Sequence, residues 1–170
     1  DYHRSLPAEH VQFLNDLLAR YDVPPLPADA SAALAMQSWT DQVSRRQVDL
    51  ALEYPIRLIA NALGPPPKEV IAQCHARGVK VAALVGTVAQ ARKDVAAGVD
   101  IIVAQGTEAG GHTGEIGGMV LVPDVVDAVA PTPVLAAGGI ATGRQIAAAL
   151  ALGAQGAWTG SIWLAVKEAD

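Results

Sequence analysis

Val99-Asp-Ile-Ile-Val-Ala-Gln-Gly-Thr-Glu-Ala-Gly-Gly-His-Thr-Gly-Glu115 joins an apolar run to a polar loop in which glycine recurs. The apolar run, up to Val103, predicts a buried strand. The glycines that follow let backbone N–H groups approach a ligand closely. His112 is the one group in the loop that exchanges a proton near neutral pH. The stretch therefore predicts a ligand-binding or catalytic loop at the end of a strand.

Similar apolar runs recur along the chain at a nearly constant spacing. They begin near Arg57, Val79, Asp100, Val134 and Gly156, so the steps are 22, 21, 34 and 22 residues. A step of about 22 residues accommodates one strand and one helix, and continuous apolar strands are typical of a parallel sheet covered on both faces. The longest step contains the His112 loop. The spacing predicts an α/β fold built from successive βα units.

Three helices are predicted between these strands, and each is followed by a glycine suited to the left-handed position after a helix. They span 68–77 before Gly78, 89–97 before Gly98, and 144–152 before Gly153. Thr142 is the predicted N-cap of the last helix.

Residues 1–55 have only helical patterns and lack the apolar strands that recur later in the chain. Leu6-Pro-Ala-Glu9 opens a helix whose apolar face carries Val11, Leu14, Leu17, Leu18 and Tyr21. Further helices are predicted over 30–36 and 41–53, with a proline-rich loop at 22–28. The predicted organisation is a helical segment, 1–55, followed by a partial barrel, 56–170.

The length of the chain limits how much of a barrel it can form. A (β/α)8 TIM barrel takes about 250 residues, whereas this chain has 170 residues and five strand patterns. We therefore expect it to supply the last five βα units of a longer protein, with the remaining strands ahead of Asp1.

Composition excludes several classes of protein. The net charge is −5 and no basic cluster occurs, which argues against a nucleic-acid partner. No signal peptide opens the chain, and Cys74 stands alone, so a cytoplasmic domain without disulfides is expected. The uncharged stretch 145–166 is interrupted by glycines and polar residues, which favours a helix, a turn and a strand over a membrane span. The histidines are too scattered to predict a metal site.

Two more glycine sites lie at predicted strand ends. Ala136-Ala-Gly-Gly-Ile-Ala-Thr-Gly143 follows the fourth strand, and Thr159-Gly-Ser161 follows the fifth. In a barrel, the loops after the last two strands often bind phosphate through backbone N–H groups and a helix N-terminus. The Ser161 hydroxyl would add a donor. The alternative is that these glycines only permit tight strand-to-helix turns.

Three segments, in this order and spacing, resemble the signatures of the nitronate monooxygenase (2-nitropropane dioxygenase) family. They are Gln105-Gly-Thr-Glu-Ala-Gly-Gly-His112, Ala136-Ala-Gly-Gly-Ile140 and Ala151-Leu-Gly-Ala-Gln-Gly-Ala-Trp-Thr-Gly-Ser161. The resemblance extends over about residues 56–164. It implies an FMN-dependent barrel whose last five strands are present in this chain.

The resemblance also implies roles for individual residues. His112 matches the histidine that removes the α-proton in members that act on neutral nitroalkanes. The positions that match the FMN site are Gln105, Gly110, Gly111, Gly138, Gly139, Trp158, Thr159, Gly160 and Ser161. Trp158 stands where members often have glutamine. Asn61 matches no family ligand, but its place at a strand end predicts that it faces the same rim. Glu108 and Glu115 flank His112 and either orient it or raise its pKa, or they are solvated loop carboxylates or accept backbone N–H groups of the loop.

The implied reaction is the oxidation of alkyl nitronates or nitroalkanes by O2 to carbonyl compounds and nitrite. The partners would be a small-molecule substrate and O2, without nucleic acid or membrane, and a homodimer is compatible with the family. Two alternatives remain open. One is a related FMN-dependent NAD(P)H enoyl or quinone reductase, and the other is a barrel fragment without catalytic activity.

Overall fold

A computed structural model of the chain describes residues 8–24, 41–62 and 64–169. The chain divides into two compact units, Asp1–Glu53 and Tyr54–Asp170. The predicted helix over 30–36 and most of the predicted loop at 22–28 lie outside the described residues.

The first unit contains the helices α1 (Ala8–Arg20) and α2 (Asp41–Ala51). Both confirm helices predicted from the sequence, and α1 begins directly after Pro7, a residue that is tolerated at helix starts. Leu17 and Tyr21, on the predicted apolar face of α1, are exposed, and Leu18 is half-buried.

The second unit is built on five parallel strands, β1 (Leu58–Asn61), β2 (Lys80–Val85), β3 (Ile101–Gln105), β4 (Val134–Ala137) and β5 (Gly156–Trp158). Their order in the sheet follows the order in the chain. Each strand therefore pairs with the next one through a helical crossover, which is the connectivity of successive βα units. All five predicted strands are confirmed.

Four helices connect these strands: α3 (Lys68–Ala76), α4 (Val88–Ala97), α5 (Gly118–Val129) and α6 (Gly143–Ala151). Gly78, Gly98 and Gly153 have the predicted positive φ angles. Thr142 is the N-cap of α6, as predicted, and forms a capping box with Gln145. Two short 3-10 helices, Ser161–Ala165 and Lys167–Ala169, follow β5.

The sequence interpretation missed α5. Pro123 lies inside this helix and removes one backbone donor, which disguises the helical pattern. Four apolar side chains of α5 are buried and stabilise it: Leu121, Val122, Val125 and Val129. Burial of this face outweighs the unfavourable proline.

The two faces of the sheet are covered to different extents. On the helix side, residues such as Val81, Ile102 and Val134 are almost inaccessible to solvent. On the opposite side, Ala82, Val103 and Ala137 are buried and partly buried apolar residues pack against them: Leu58, Leu84, Ile101, Leu135 and Trp158. The prediction of a sheet covered on both faces is therefore correct for the helix side and only partly correct for the other. In a closed barrel this second face lines the interior.

A cluster of charges joins the amino ends of β2 and β3. The Asp100 carboxylate accepts hydrogen bonds from Lys80 Nζ at 2.8 Å and from the Val81 N–H at 2.9 Å, and it lies 2.7 Å from His75 Nε2. Burial opposes ionisation of Asp100, but these hydrogen bonds hold the pKa of its carboxyl below the usual range. The cluster lies at the end of the sheet opposite the glycine-rich loops, where contacts in barrels serve stability rather than catalysis.

None of the helices in the described ranges is long and apolar enough to cross a bilayer. Cys74 is fully buried in α3, as predicted for a small apolar side chain, and burial raises the pKa of its thiol.

Candidate functional site

The carboxyl ends of the strands surround a cavity of about 380 Å³. This volume lies within the range of about 300–1,000 Å³ that is usual for small-molecule sites. Seven of the residues predicted to bind the cofactor line the cavity: Gln105, Gly110, Gly138, Gly139, Trp158, Gly160 and Ser161. Three segments that are distant in sequence therefore meet at one end of the sheet.

The position of Gln105 follows from the alternation of side chains along β3. Val103 belongs to the cluster on the face opposite the helices, and a residue two positions further on lies on the same face. Gln105, the last residue of β3, therefore reaches the cavity. Its Nε2 donates to the Gly110 carbonyl at 3.4 Å and connects the strand end to the loop.

The wall after β4 is formed by two glycines with positive φ angles, +110° at Gly138 and +64° at Gly139. A Cβ on Gly138 would lie 3.1 Å from the Ala109 N atom, and one on Gly139 would lie 3.2 Å from the Glu108 Cβ. These positions require glycine for the backbone conformation and for the close approach of the β3 loop.

The wall after β5 combines an apolar ring with a helix start. Trp158 lines the cavity and also packs against the cluster of Ala82, Val103 and Ala137. Gly160 and Ser161 then lead into the first 3-10 helix. The first N–H groups of a helix have no partner within it, so those at the start of this 3-10 helix are available as donors. A Cβ on Gly160 would meet no atom within 4 Å.

Three predicted residues are absent from the cavity lining as the structure describes it. They are Gly111, His112 and Thr159. His112 is exposed, in the loop between β3 and α5. Thr159 Oγ1 accepts a hydrogen bond from Trp163 Nε1 at 3.0 Å.

The loop that carries His112 is nevertheless anchored on both sides. Gly110 contributes to the cavity wall, and Gly114 packs so closely on Gly86 that an added Cβ would lie 2.8 Å from the Gly86 carbonyl oxygen. The Thr107 N–H also donates to the Ile116 carbonyl at 3.1 Å, which closes the base of the loop. His112 follows Gly110 by two residues in this loop and does not itself line the cavity.

The prediction for Asn61 was wrong. Asn61 is paired in register with Ala83, and both lie on the face opposite to Ala82. Its Nδ2 donates to the Gly64 carbonyl, and Asn61 is not among the residues that line the cavity. Because side chains alternate along a strand, a shift of one position turned this residue away from the rim.

Glu108 is the principal residue that the sequence interpretation left without a definite role. Both of its carboxylate oxygens lie 3.0 Å from the Gly118 N atom, the first residue of α5, and Glu108 also lines the cavity. The structure thus confirms that Glu108 accepts a backbone N–H group. Ile140 and Ala141, beside the glycine turn, were also missed as lining residues because their apolar side chains signal no ligand.

The hydrogen-bond donors that the described residues offer to the cavity are neutral. Among its described lining residues there is no lysine or arginine, and Glu108 is the single charged group. Donors come from backbone N–H groups, the Gln105 amide and the Ser161 hydroxyl. The described residues contain no group of three or more metal-ligating side chains.

Comparison with known proteins shows which family this chain resembles. The family model described as nitronate monooxygenase matches residues 19–170. A Mycobacterium tuberculosis protein named as a monooxygenase is 56% identical over 166 residues, which are 97% of this chain and 44% of that protein. This chain therefore spans less than half the length of that relative.

Solved structures are similar over about three quarters of the chain. Nitroalkane oxidase from Streptomyces ansochromogenes is 38% identical with a TM-score of 0.70, over 75% of this chain and 40% of that one. FabK from Thermotoga maritima is 37% identical with a TM-score of 0.70, over 79% and 42%. A mandelate oxidase solved with an FMN adduct is 25% identical with a TM-score of 0.62, over 76% and 49%.

These matches agree with the five βα units of this chain. The fold is part of a TIM barrel, and the chain belongs to the nitronate monooxygenase family.

Proposed function

We propose that this chain carries the cofactor-binding part of an FMN-dependent enzyme that oxidises alkyl nitronates or nitroalkanes with O2 to carbonyl compounds and nitrite. One observation carries the proposal. Gln105, Gly139 and Ser161, each from a different signature segment, line the same cavity at the carboxyl ends of the strands. In parallel α/β folds this is the end at which active sites form.

The donors around the cavity support FMN as the flavin. The glycine turn after β4 leads into the N-terminus of α6, and the turn after β5 leads into a 3-10 helix that starts at Ser161. Helix starts and glycine turns bind a terminal phosphate dianion without a lysine or arginine. FMN ends in such a phosphate, and no Gly-x-Gly-x-x-Gly dinucleotide fingerprint occurs in the sequence. When bound, the flavin would supply the electron acceptor.

His112 is the proposed base. A neutral imidazole accepts the α-proton of a nitroalkane near pH 7, and the imidazolium that results can hold the nitro oxygens of the nitronate. Its exposed position two residues from Gly110 supports access to substrate at the cavity mouth. Glu108 is engaged at the start of α5, which argues against a role for it in proton transfer.

A second candidate is a related FMN-dependent reductase that takes hydride from NAD(P)H and reduces an enoyl or quinone substrate. The TM-score for FabK equals the TM-score for nitroalkane oxidase, so the fold favours neither function. The structural similarity to FabK, over 79% of this chain, is the specific observation that supports a reductase.

Anaerobic reduction of the flavin distinguishes these functions. The full chain, loaded with FMN, is mixed with a preformed alkyl nitronate or with NAD(P)H, and the flavin absorbance is followed. The proposal expects rapid bleaching by the nitronate and little by NAD(P)H. Bleaching by NAD(P)H alone would support the reductase, and failure to take up FMN would support a barrel fragment without catalytic activity.

A further inference from the structure

The glycine turn after β4 is held by a side chain outside the predicted site, Gln145 of α6. Gln145 Nε2 donates to the Gly139 carbonyl at 2.7 Å. Its Oε1 accepts from the N–H groups of Ala141 at 2.9 Å and Thr142 at 3.0 Å, and from the Thr142 hydroxyl at 3.0 Å. One amide group therefore satisfies both a carbonyl and two N–H groups of the segment that leads from β4 into α6.

These hydrogen bonds serve two separable purposes. The bonds to Thr142 form the capping box that starts α6. The bond to the Gly139 carbonyl lies outside the capping box and reaches back to a residue that lines the cavity. A helix cap alone does not require this second contact.

The bond to the Gly139 carbonyl has a geometric consequence for the next residue. In a trans peptide, the carbonyl of one residue and the N–H of the following residue point in opposite directions. Holding the Gly139 carbonyl toward Gln145 therefore turns the Ile140 N–H away from Gln145. Ile140 lines both this cavity and an adjoining one of about 190 Å³, whereas Gln145 lines only the adjoining one, so the side facing away from Gln145 is the side of the larger cavity.

We propose that Gln145 is a positioning residue that fixes the Ile140 N–H toward the cavity as a donor for the phosphate of FMN. The inference rests on the proposed function, since it assumes that the cavity binds FMN. Gly138 and Gly139 have no side chain and have positive φ angles, so their backbone is intrinsically flexible, and the hydrogen bond from Gln145 adds a restraint on the turn.

The test compares Gln145→Met with Thr142→Ala in the full chain, with FMN and riboflavin as ligands. Gln145→Met removes both the bond to Gly139 and the cap. Thr142→Ala removes the hydroxyl contacts with Gln145 but leaves Gln145 Nε2 able to donate to Gly139. Riboflavin lacks the phosphate and reports on the rest of the site. Loss of one donor to the phosphate should weaken FMN binding by about tenfold in Gln145→Met. Riboflavin affinity should not change, and Thr142→Ala should bind both ligands like the wild type.

A further variant and measurement separate the proposal from a loss of folding. Gln145→Glu keeps an acceptor for Ala141 and Thr142 but cannot donate to Gly139, so it should fold. Its negative charge by itself weakens phosphate binding, so this variant is compared with the wild type in the ligand-free protein. The NMR order parameter of the Ile140 N–H in the ligand-free protein should fall in both Gln145 variants and stay unchanged in Thr142→Ala.

Two results would overturn the inference and leave the proposed function in place. One is that Gln145→Met loses as much affinity for riboflavin as for FMN. The other is that Thr142→Ala loses as much affinity for FMN as Gln145→Met does. Wild-type protein that takes up no FMN would overturn the proposed function, and this inference with it.

Discussion

Asp94 provides a prediction whose size follows from the structure. It lies on α4 with no exposed surface, and neither of its carboxylate oxygens has a hydrogen-bond partner in the described part of the chain. Burial raises the pKa of this carboxyl to about 6, although the charge of the neighbouring Lys93 opposes the rise. Asp94→Asn replaces the carboxyl by an amide of nearly the same shape, so it removes the titration and provides the comparison.

The sign of the effect follows from proton linkage. The folded protein keeps the Asp94 proton up to about pH 6, whereas the unfolded chain releases it near the ordinary pKa of 3.8. The folded state therefore binds more protons between these values, and stability falls as the pH rises through this window. A pKa raised by about two units corresponds to a loss of about 3 kcal/mol that is complete above about pH 7.

Urea unfolding of the wild type and Asp94→Asn between about pH 4 and pH 7.5 measures this loss. The free energy of unfolding of the variant, relative to that of the wild type, should rise by about 2.5 kcal/mol across this range. This is less than the full value of about 3 kcal/mol because a small part of the wild type's loss of stability already occurs below about pH 4. Asp124→Asn, at an exposed position of α5, is the matched control and should change by less than about 0.5 kcal/mol. A relative stability of Asp94→Asn that is independent of pH, or that falls as the pH rises, would refute the reasoning.

Three further predictions concern the proposed site. Mass spectrometry of flavin released from the full chain should detect FMN, and detection of FAD would contradict the assignment of a terminal phosphate. Gly160→Asp should abolish FMN binding, because it adds a negative charge beside the phosphate. Gly160→Asn has the same size without the charge and should retain most of the binding, because a Cβ at this position meets no other atom within 4 Å. If titrations with FMN give equal affinities for the two variants, the phosphate binds elsewhere. Gly139→Asp is less informative, because Gly139 has a positive φ and any side chain there would strain the backbone as well as add a charge. His112→Asn should lower the turnover of a neutral nitroalkane by about 10²- to 10⁴-fold and affect a preformed nitronate much less; similar losses on both substrates in a steady-state assay would assign His112 to holding the anion.

Much of the architecture was predictable from the sequence because its signals are local. The repeat of about 22 residues, the glycines after the helices and the Thr142 cap depend on residues close together in the chain, and the structure confirms them. The failure at α5 also has a local origin. Pro123 indicates a break in the helix when only the sequence is considered. The helix forms because the apolar side chains on either side of Pro123 are buried.

The sequence by itself determined the order of the βα units and the three segments that meet at the cavity, since parallel strands joined by right-handed crossovers bring all their carboxyl ends to one edge. The tertiary structure decided which side chains reach that edge. The register between β1 and β2 directs Asn61 away from the rim, and the packing of the β3 loop directs Glu108 to the start of α5. The contact of Gln145 with Gly139 likewise exists only because the turn after β4 folds back over the first turn of α6. Such contacts depend on a register and on turn conformations that no periodicity in the sequence encodes, because a shift of one residue reverses the direction of a side chain.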